Sequence, residues 1–337
     1  MADGVVPAPR PTRLPARHRR SMRMIVQRAV QIPLVMLVVS VLVFVLIQVV
    51  PGDPGRNALG PYATADQVLA WNAAHGLDGA PIDRYASWFF GLLAGQWGAS
   101  VVYGVPVFDL VLGRLANSVM LGLFAFAILV PLAIGVGVLQ ARKEGSRGDR
   151  SFTVALMALA AVPEFVVGVI LLLTFAVVFP VLPVQSSDGV GAGFLPQLRA
   201  MTLPAITLAL GSLSVLARTT RAGVIEATRS QFYRTAVIKG VHGGMLFRRH
   251  VARNALVPTV ALLGIYLGAF LGGSAVVETL FGYPGLGELL VTATQRKDTF
   301  VLAAGVMITG LISLLALLMA DVAFTLIDPR VRFTGQR

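Results

Sequence analysis

Few side chains in this sequence have the spacing that catalysis or metal binding requires. The chain has no cysteine and four histidines, which are His18, His75, His242 and His250. No two histidines are four residues apart, the spacing that places both rings on one helix face to hold a metal ion. The absence of cysteine excludes disulfides, thiolate zinc sites and cysteine nucleophiles. We therefore expect no metal site and no catalytic residue.

Motifs for nucleotide binding and hydrolysis are missing as well. The sequence contains no G-x-x-x-x-G-K-[ST], the loop whose backbone amides hold phosphates, and no G-x-S-x-G or H-E-x-x-H. We therefore expect a chain that is not an enzyme and that binds no cofactor of its own. If the chain transports a solute against its concentration gradient, the energy must then come through contact with another protein.

Two carboxylates lie within long apolar runs, Glu164 next to Pro163 and Asp321 near the end of the last run. An ionisable group at membrane depth is costly and generally faces a cavity or a partner. Glu164 is therefore a candidate for lining a solute path. The alternatives are a neutral carboxyl packed between helices or a position nearer the membrane surface. Pro163 either shares that role or only kinks its helix, and we expect Asp321 to pair with a basic residue or to cap backbone.

A polar and basic stretch, residues 218–254, connects two apolar runs and is longer than chain closure requires. We expect it to bind another protein. Helix-forming residues 233–239 end at Gly240, a typical C-cap residue, and a second pair of glycines precedes another helical run to Asn254. The sequence therefore predicts two short helices at an angle.

The elements that position these residues follow from composition. Of the 337 residues 56% are apolar and 13% charged, against about 45–50% and 25% in soluble domains. The apolar residues form unbroken runs, which is typical of an all-α membrane protein. The runs that we assign to transmembrane helices 1 to 6 are residues 29–50, 118–139, 151–178, 203–217, 256–277 and 300–327. Helix 4 is short, and we expect it to continue past Arg218 and Arg221 into the cytoplasm.

The rest of the chain divides around these runs. We predict a disordered basic tail over residues 1–23, a first membrane segment over 24–50, and a partly helical extramembrane segment over 51–113. Residues 114–327 then form the core, with the polar connection at 218–254, and residues 328–337 form the C-terminus.

Basic residues indicate the orientation. Twenty-two of the 28 Lys and Arg lie in residues 1–28, the 142–150 turn, the 218–253 stretch and the C-terminus, while the opposite loops hold six. Because basic loops stay in the cytoplasm, both termini are predicted inside and residues 51–113 outside. This asymmetry explains the net charge of +12, so we do not infer nucleic-acid binding.

The connection also carries a family resemblance. Residues 233–240, which read Tyr-Arg-Thr-Ala-Val-Ile-Lys-Gly, and residues 253–258, Arg-Asn-Ala-Leu-Val-Pro, resemble the cytoplasmic E-A-A-x-x-x-G loop of ATP-binding-cassette importer permeases of the dipeptide and oligopeptide subfamily. Arg234 and Thr235 replace the E and the first A, whereas Ala236 and Gly240 are retained. Further similar segments are Pro51-Gly52-Asp53-Pro54, Gly76-Leu77-Asp78, Arg84-Tyr85, Glu278-Thr279-Leu280-Phe281, Pro284-Gly285-Leu286-Gly287 and Asp328-Pro329-Arg330-Val331-Arg332. The likeness covers about residues 24–333 and is to the first permease of a pair.

The resemblance implies a type I importer permease fold with six transmembrane helices and an extracytoplasmic segment between helices 1 and 2. It implies an inner-membrane subunit that forms half of the pathway of an ATP-driven importer for di- or oligopeptides. The implied partners are a second permease, two ATPase subunits that hold ATP and Mg²⁺, an extracytoplasmic solute-binding protein and membrane lipid.

The resemblance also assigns roles to residues. Those implied in coupling to the ATPase are Tyr233, Arg234, Thr235, Ala236, Lys239, Gly240, His250, Asn254 and Pro258. Candidates for the translocation path or gate are Pro163, Glu164, Glu278, Pro284, Gly285 and Gly287, although residues 284–287 are equally an ordinary turn.

Other functions stay open at this point. Within the same family the cargo could be nickel, haem, a glycopeptide or an opine-like compound. Outside it, a proton-coupled secondary transporter could use Glu164 and Asp321 as a relay, although we find no inverted repeat. A membrane scaffold whose connection only anchors a cytoplasmic protein is a third possibility.

Overall fold

The protein is described by a computed structural model that covers residues 16–49, 54–74, 76 and 79–327. Over these ranges all regular structure is helical, apart from one isolated β-bridge between Ala99 and Pro106. The all-α fold predicted from the sequence is confirmed.

The helices are numbered in chain order. They are α1 (Ala16–Val49), α2 (Pro54–Leu59), α3 (Ala65–Ala74), α4 (Pro81–Leu93), α5 (Val107–Arg142), α6 (Arg147–Ala161), α7 (Glu164–Leu172), α8 (Phe194–Arg229), α9 (Gln231–Ile238), α10 (Gly243–Leu246), α11 (Ala252–Ala255), α12 (Val257–Leu271), α13 (Ala275–Leu280), α14 (Leu286–Arg296) and α15 (Thr299–Ile327). Two π-helical segments, Leu173–Val178 and Phe247–Val251, follow α7 and α10, and a 3₁₀ turn covers Ser187–Gly189.

Four of these helices, α1, α5, α8 and α15, are long and apolar enough to cross a membrane. Helices α6 and α7 are long and apolar enough only as a pair, and their bend fits either a broken span or a re-entrant loop. The α12 helix is apolar and has 15 residues. The α8 helix is continuous from Phe194 to Arg229, so the prediction that helix 4 extends past Arg218 and Arg221 is confirmed. The α5 helix begins at Val107, earlier than the predicted start near residue 118.

Two predicted spans differ in the structure. Helix 3, predicted as one helix, is broken between α6 and α7 with a bend of 99°. The break follows from Pro163, which disfavours helical backbone at Val162 and leaves that residue extended. Helix 5, predicted to reach residue 277, ends at Leu271, because Gly273 turns the chain with a φ of +87° before α13.

The N-terminal tail also differs in part from its prediction. The α1 helix begins at Ala16, so the second part of the segment predicted as disordered is helical. Residues 1–15 and the C-terminal residues 328–337 lie outside the described part of the chain.

The core surrounds α8. Its buried residues, such as Leu208 and Leu216, pack with Leu129 of α5, Phe270 of α12 and Phe281 after α13 in one apolar cluster. The α1 helix stands at the edge, where it packs mainly against α15. Many of its apolar side chains are exposed, as expected for a helix that faces lipid.

The segment before α5 is anchored to the start of α15 through Asp298, which is buried. One carboxylate oxygen accepts hydrogen bonds from the Ser100 hydroxyl at 2.5 Å and the Val102 N–H at 3.2 Å. The other oxygen accepts from the Val301 N–H at 3.3 Å and so caps α15. The segment between α1 and α5 is therefore attached to α15, the last helix described.

Candidate functional site

The loop between α8 and α12, residues 230–256, contains most of the residues predicted to couple to a partner, and we call it the connecting loop. Ser230 ends α8, and its hydroxyl accepts a hydrogen bond from the Tyr233 N–H at 3.4 Å, so that α9 starts immediately. Within α9, Ala236 is buried and Tyr233 is half-buried, whereas Arg234 and Thr235 are exposed. One residue therefore separates α8 from the exposed face of α9.

The end of α9 has the geometry that its sequence predicts. Gly240 has a φ of +80°, a left-handed conformation that favours glycine. Its N–H donates to the Val237 carbonyl at 2.9 Å, and the Val241 N–H donates to the Ala236 carbonyl at 3.1 Å. Lys239 caps the helix and is exposed. The predicted helix end at Gly240 is confirmed.

The second half of the connecting loop is helical too, through α10, a π-helical segment and α11. Val251 and Ala255 are buried in a cluster with Val138 of α5 and Val224 of α8. Asn254 lies on α11, at the surface. Pro258 is the second residue of α12 and is exposed, and the side chain of His250 lies outside the described part of the chain.

A cavity of about 390 Å³ lies between this loop and the ends of α5 and α8. Its lining includes Arg142, Val224, Tyr233 and Phe247. The Arg142 guanidinium carbon is 5.2 Å from the centre of the Phe247 ring, which is a cation–π distance. The loop is thus held against two long helices and does not extend freely.

The outer surface of the connecting loop is unusually apolar for a polar segment. Phe232, Val237, Ile238 and Met245 are exposed, and 85% of Ile238 is accessible. They lie beside the exposed cations Arg234 and Lys239. Large apolar side chains that are exposed among charges are a feature of protein-binding surfaces.

A partly buried ion pair joins α8 to the start of α6, and we did not predict it from the sequence. The Arg221 guanidinium donates from Nε to Asp149 Oδ1 at 2.8 Å and from Nη2 to Oδ2 at 2.7 Å. The Gly145 N–H also donates to Asp149, at 3.0 Å. The spacing Ser146-x-x-Asp149 matches a capping box and indicates the start of α6, but no local signal identifies the arginine 72 residues away.

A second site surrounds Glu278, which lies on the short helix α13, outside the long apolar helices, and is fully buried. The Ser118 hydroxyl donates to its Oε1 at 2.6 Å, and the Glu288 N–H donates to its Oε2 at 3.0 Å. The Leu286 N–H in turn donates to Ser118 Oγ at 2.7 Å. The carboxylate thus lies at the N-terminus of α14, where the helix dipole favours negative charge.

Burial and hydrogen bonding act in opposite directions on this carboxyl. Burial raises the pKa of Glu278, and this effect exceeds the lowering by hydrogen bonds from Ser118 and from backbone N–H groups. Because its oxygens face the turn, Glu278 holds residues 284–287 in position.

The predicted gate residues 284–287 form the wall around this carboxyl. A Cβ at Gly287 would lie 2.6 Å from the Ala275 nitrogen and 2.9 Å from Glu278 Oε2, and a Cβ at Gly285 would overlap the carboxyl group. The Pro284 carbonyl accepts a hydrogen bond from Asn117 Nδ2 at 2.8 Å. The structure thus brings Glu278, Pro284, Gly285 and Gly287 together, and it adds Asn117 and Ser118 from α5, which we did not predict.

Glu164 lies apart from these contacts, at the first position of α7, with Pro163 as the N-cap residue. In the described part of the chain its Oε1 atom is enclosed and has no hydrogen-bond partner. Gly211 of α8 lies beside it, since a Cβ there would be 3.2 Å from Glu164 Cγ. Glu164 Oε1 is therefore a buried acceptor without a partner among the described residues, next to the bend between α6 and α7.

Comparison with known proteins adds a family to this geometry. The family model described as "Binding-protein-dependent transport system inner membrane component" matches residues 133–333, and a model of the N-terminal part of such components matches residues 21–116. A probable peptide ABC transporter permease of Sinorhizobium fredii is 34% identical, over 92% of this chain and 99% of its own length.

Two further relatives align over a similar length. An oligopeptide transport system permease of Bacillus subtilis is 29% identical, over 92% of this chain and 99% of its own. A glutathione transport system permease of Escherichia coli K12 is 32% identical, over 88% of this chain and 94% of its own.

Proposed function

Because this chain belongs to the family of binding-protein-dependent transport system inner membrane components, we propose that it forms half of the transmembrane pathway of an ATP-driven importer for di- and oligopeptides. The observation that supports a peptide cargo is the alignment of peptide and oligopeptide permeases over 92% of the chain. The similar glutathione permease makes glutathione, itself a short peptide, a specific candidate.

The energy for transport comes from partner subunits in this proposal. The chain has no phosphate-binding loop, so ATP and Mg²⁺ are held by two ATPases. Moving a two-state equilibrium from 1:99 to 99:1 requires about 5.5 kcal/mol of differential binding. A weakly held peptide does not supply that amount, whereas ATP-driven closure of the ATPases does.

The connecting loop is the ATPase contact. Its exposed surface combines apolar side chains, chiefly Val237 and Ile238, with the cations Arg234 and Lys239. Ser230 links α9 directly to α8, and the Asp149–Arg221 pair links α8 to α6. A displacement of α9 is therefore passed to two core helices. Tyr233, Thr235, Ala236 and Gly240 maintain the shape of α9, and Asn254 and Pro258 maintain the return to α12.

The path lies between this chain and a second, homologous permease. Glu164 and Pro163 face it at the 99° bend between α6 and α7. The turn 284–287, held by Glu278, contributes to the gate at the opposite end from the connecting loop. A solute-binding protein delivers the peptide to that end, next to the segment 51–113. Both termini and the connecting loop are cytoplasmic, in agreement with the distribution of basic residues.

The proposal is tested by reconstitution with partner subunits. The chain is co-purified with candidate permease, ATPase and binding-protein partners and inserted into liposomes, and ATP hydrolysis and uptake are measured with dipeptides, longer peptides and glutathione. We expect hydrolysis to rise when the binding protein is loaded with peptide, and uptake to require ATP without a proton gradient. Uptake driven by a proton gradient in the absence of ATPases would overturn the proposal. If nickel or haem stimulates ATP hydrolysis and no peptide does, the proposed peptide cargo is wrong, whereas the role as an importer permease is not affected.

A further inference from the structure

The helix α4, Pro81–Leu93, is apolar and aromatic, yet none of its residues is buried. At 100° per residue its polar side chains, Asp83, Arg84 and Ser87, fall on one side. The apolar residues occupy the remaining arc. They are Ile82, Tyr85, Ala86, Trp88, Phe89, Phe90, Leu92 and Leu93. Because no residue of α4 is fully buried, the described part of the chain leaves some of this apolar arc uncovered.

One part of this apolar arc rests on α1. The Tyr85 hydroxyl is 2.8 Å from Ser40 Oγ, in a hydrogen bond that either group can donate. The Phe44 ring centre lies 5.4 Å from that of Tyr85 and 6.1 Å from that of Trp88. The other part of the arc is open, with Ile82, Phe90 and Leu93 exposed by 76%, 66% and 69%.

The contacts with α1 set the depth of α4. The described residues Val30–Gln48 of α1 belong to the apolar run 29–50, and these 19 residues cover about 28 Å of a hydrocarbon core of about 30 Å. Phe44 lies one turn before Gln48, so its ring contacts with Tyr85 and Trp88 lie roughly 6 Å or more inside the end of the span. The apolar side of α4 is thus at the level of the bilayer and not above it.

The opposite end of α4 lies at a similar level. Leu92 packs in the cluster that contains Phe300, at the start of α15, and its carbonyl accepts a hydrogen bond from Trp97 Nε1 at 2.8 Å. The α1 and α15 helices run antiparallel, since Met36 lies beside Gly310 while the earlier residue Leu34 lines a cavity with the later residue Leu314. The start of α15 is therefore near the end of the α1 span, and both ends of α4 lie near one membrane surface. The exposed side chains of α1 at this level, such as Val45 and Leu46, continue the apolar surface of α4.

We infer that α4 is an interfacial helix, which lies along the membrane surface with Ile82, Phe90 and Leu93 in contact with lipid acyl chains. Asp83 and Ser87 then face water, and Trp88 and Tyr85 lie where membrane proteins concentrate these residues. The helix belongs to the segment assigned from sequence to the extracytoplasmic space, so that part of this segment is inside the lipid boundary. The leaflet, which is the outer one, rests on the orientation proposed above, whereas the lipid contact does not.

The absence of cysteine makes a direct test possible. Phe90→Cys, Leu93→Cys and, as the control on the polar side, Ser87→Cys are each spin-labelled in the complete complex in liposomes. Collision rates are measured with oxygen, which concentrates in lipid, and with a water-soluble nickel chelate. We expect labels at 90 and 93 to collide more with oxygen than with nickel, and the label at 87 to show the reverse. All three side chains are exposed, so the substitutions leave the packing intact.

Two results would overturn the inference. Nickel access at residues 90 and 93 equal to that at residue 87 would place α4 in water. Low access to both reagents at 90 and 93, whether constant or seen only after the solute-binding protein is added, would show that protein covers this face. Two labelled positions on the apolar face keep the test valid if one variant does not assemble.

Discussion

At the scale of single residues, Gly287 has no room for a side chain between the Ala275 backbone and the Glu278 carboxyl. Its missing Cβ leaves room for both the Ala275 backbone and the carboxylate. We expect Gly287→Ala to destabilise the protein by about 1–3 kcal/mol, the range for overpacking a core. Thermal unfolding in detergent, followed by tryptophan fluorescence, measures the loss.

The matched control for this change is Gly135→Ala, within α5, where a Cβ would meet nothing within 4 Å. We expect this variant to unfold at or slightly above the temperature of the parent, because alanine favours helix. Equal unfolding temperatures for the two variants would show that the turn accommodates a methyl group at Gly287.

Gly240 has a different constraint, since its surroundings are open and only its backbone is special. The left-handed conformation costs a β-branched residue about 1–2 kcal/mol, so Gly240→Val should distort the end of α9. We expect weaker binding of the ATPase and lower peptide uptake at normal membrane insertion. Gly240→Asn is the control, because asparagine tolerates this conformation. Normal ATPase affinity and uptake for the valine variant would contradict a coupling role.

For Glu164 the prediction concerns charge. If its carboxylate lines the path, Glu164→Gln should change the rate of uptake or the peptide concentration that gives half-maximal uptake. Glu164→Asp keeps the charge beside Gly211 and should have a smaller effect. Uptake kinetics in liposomes separate these cases. Identical kinetics for the parent and the glutamine variant would identify Glu164 as a packing residue.

At the scale of elements, the Asp149–Arg221 pair decides how motion passes from α8 to α6. Asp149 is almost fully buried, whereas Arg221 reaches solvent. We therefore expect Asp149→Asn to cost roughly 1.5–3 kcal/mol, the range for hydrogen bonds to charged groups. If the pair transmits movement, ATP hydrolysis in the reconstituted complex continues while uptake falls.

The exposed pair of Arg229 and Glu144, with an N–O distance of 2.8 Å, provides the control. Exposed ion pairs contribute little, so Glu144→Gln should leave both stability and the ratio of uptake to hydrolysis unchanged. A parallel fall of hydrolysis and uptake in Asp149→Asn would mean that the pair only stabilises the fold.

At the scale of the whole molecule, the orientation in the membrane is open to direct measurement. In this cysteine-free chain, Ile238→Cys places a thiol on the connecting loop and Tyr62→Cys places one between α2 and α3, both at highly exposed positions. We expect a membrane-impermeant maleimide to label residue 62 in intact cells and residue 238 only in inverted vesicles from which the ATPases have been removed. Labelling of residue 238 from outside intact cells would contradict the proposed contact with an ATPase.

Several features of this protein could be predicted from the sequence because they depend on residues close together along the chain. Unbroken apolar runs identify a membrane protein, since such runs cannot be solvated by water. A run of helix formers followed by Gly240 predicts the end of α9, because only the local backbone decides it. The same local reasoning extended α8 past Arg221. The motifs that led to the family resemblance are also local.

Only the tertiary structure decided which distant residues meet. Ser118 reaches Glu278 across 160 positions and Arg221 reaches Asp149 across 72, and such contacts depend on how the long helices pack. The bend at Pro163 and the early end of α12 at Leu271 could not be read from hydropathy, because apolar residues continue through both breaks. The same holds for α4, which lies in the segment 51–113, whose overall composition resembles that of a soluble protein. Only the contacts of α4 with Ser40 and Phe44 determine its depth relative to α1. Hydropathy describes whether each residue favours water or an apolar environment, whereas packing determines which neighbours provide that environment.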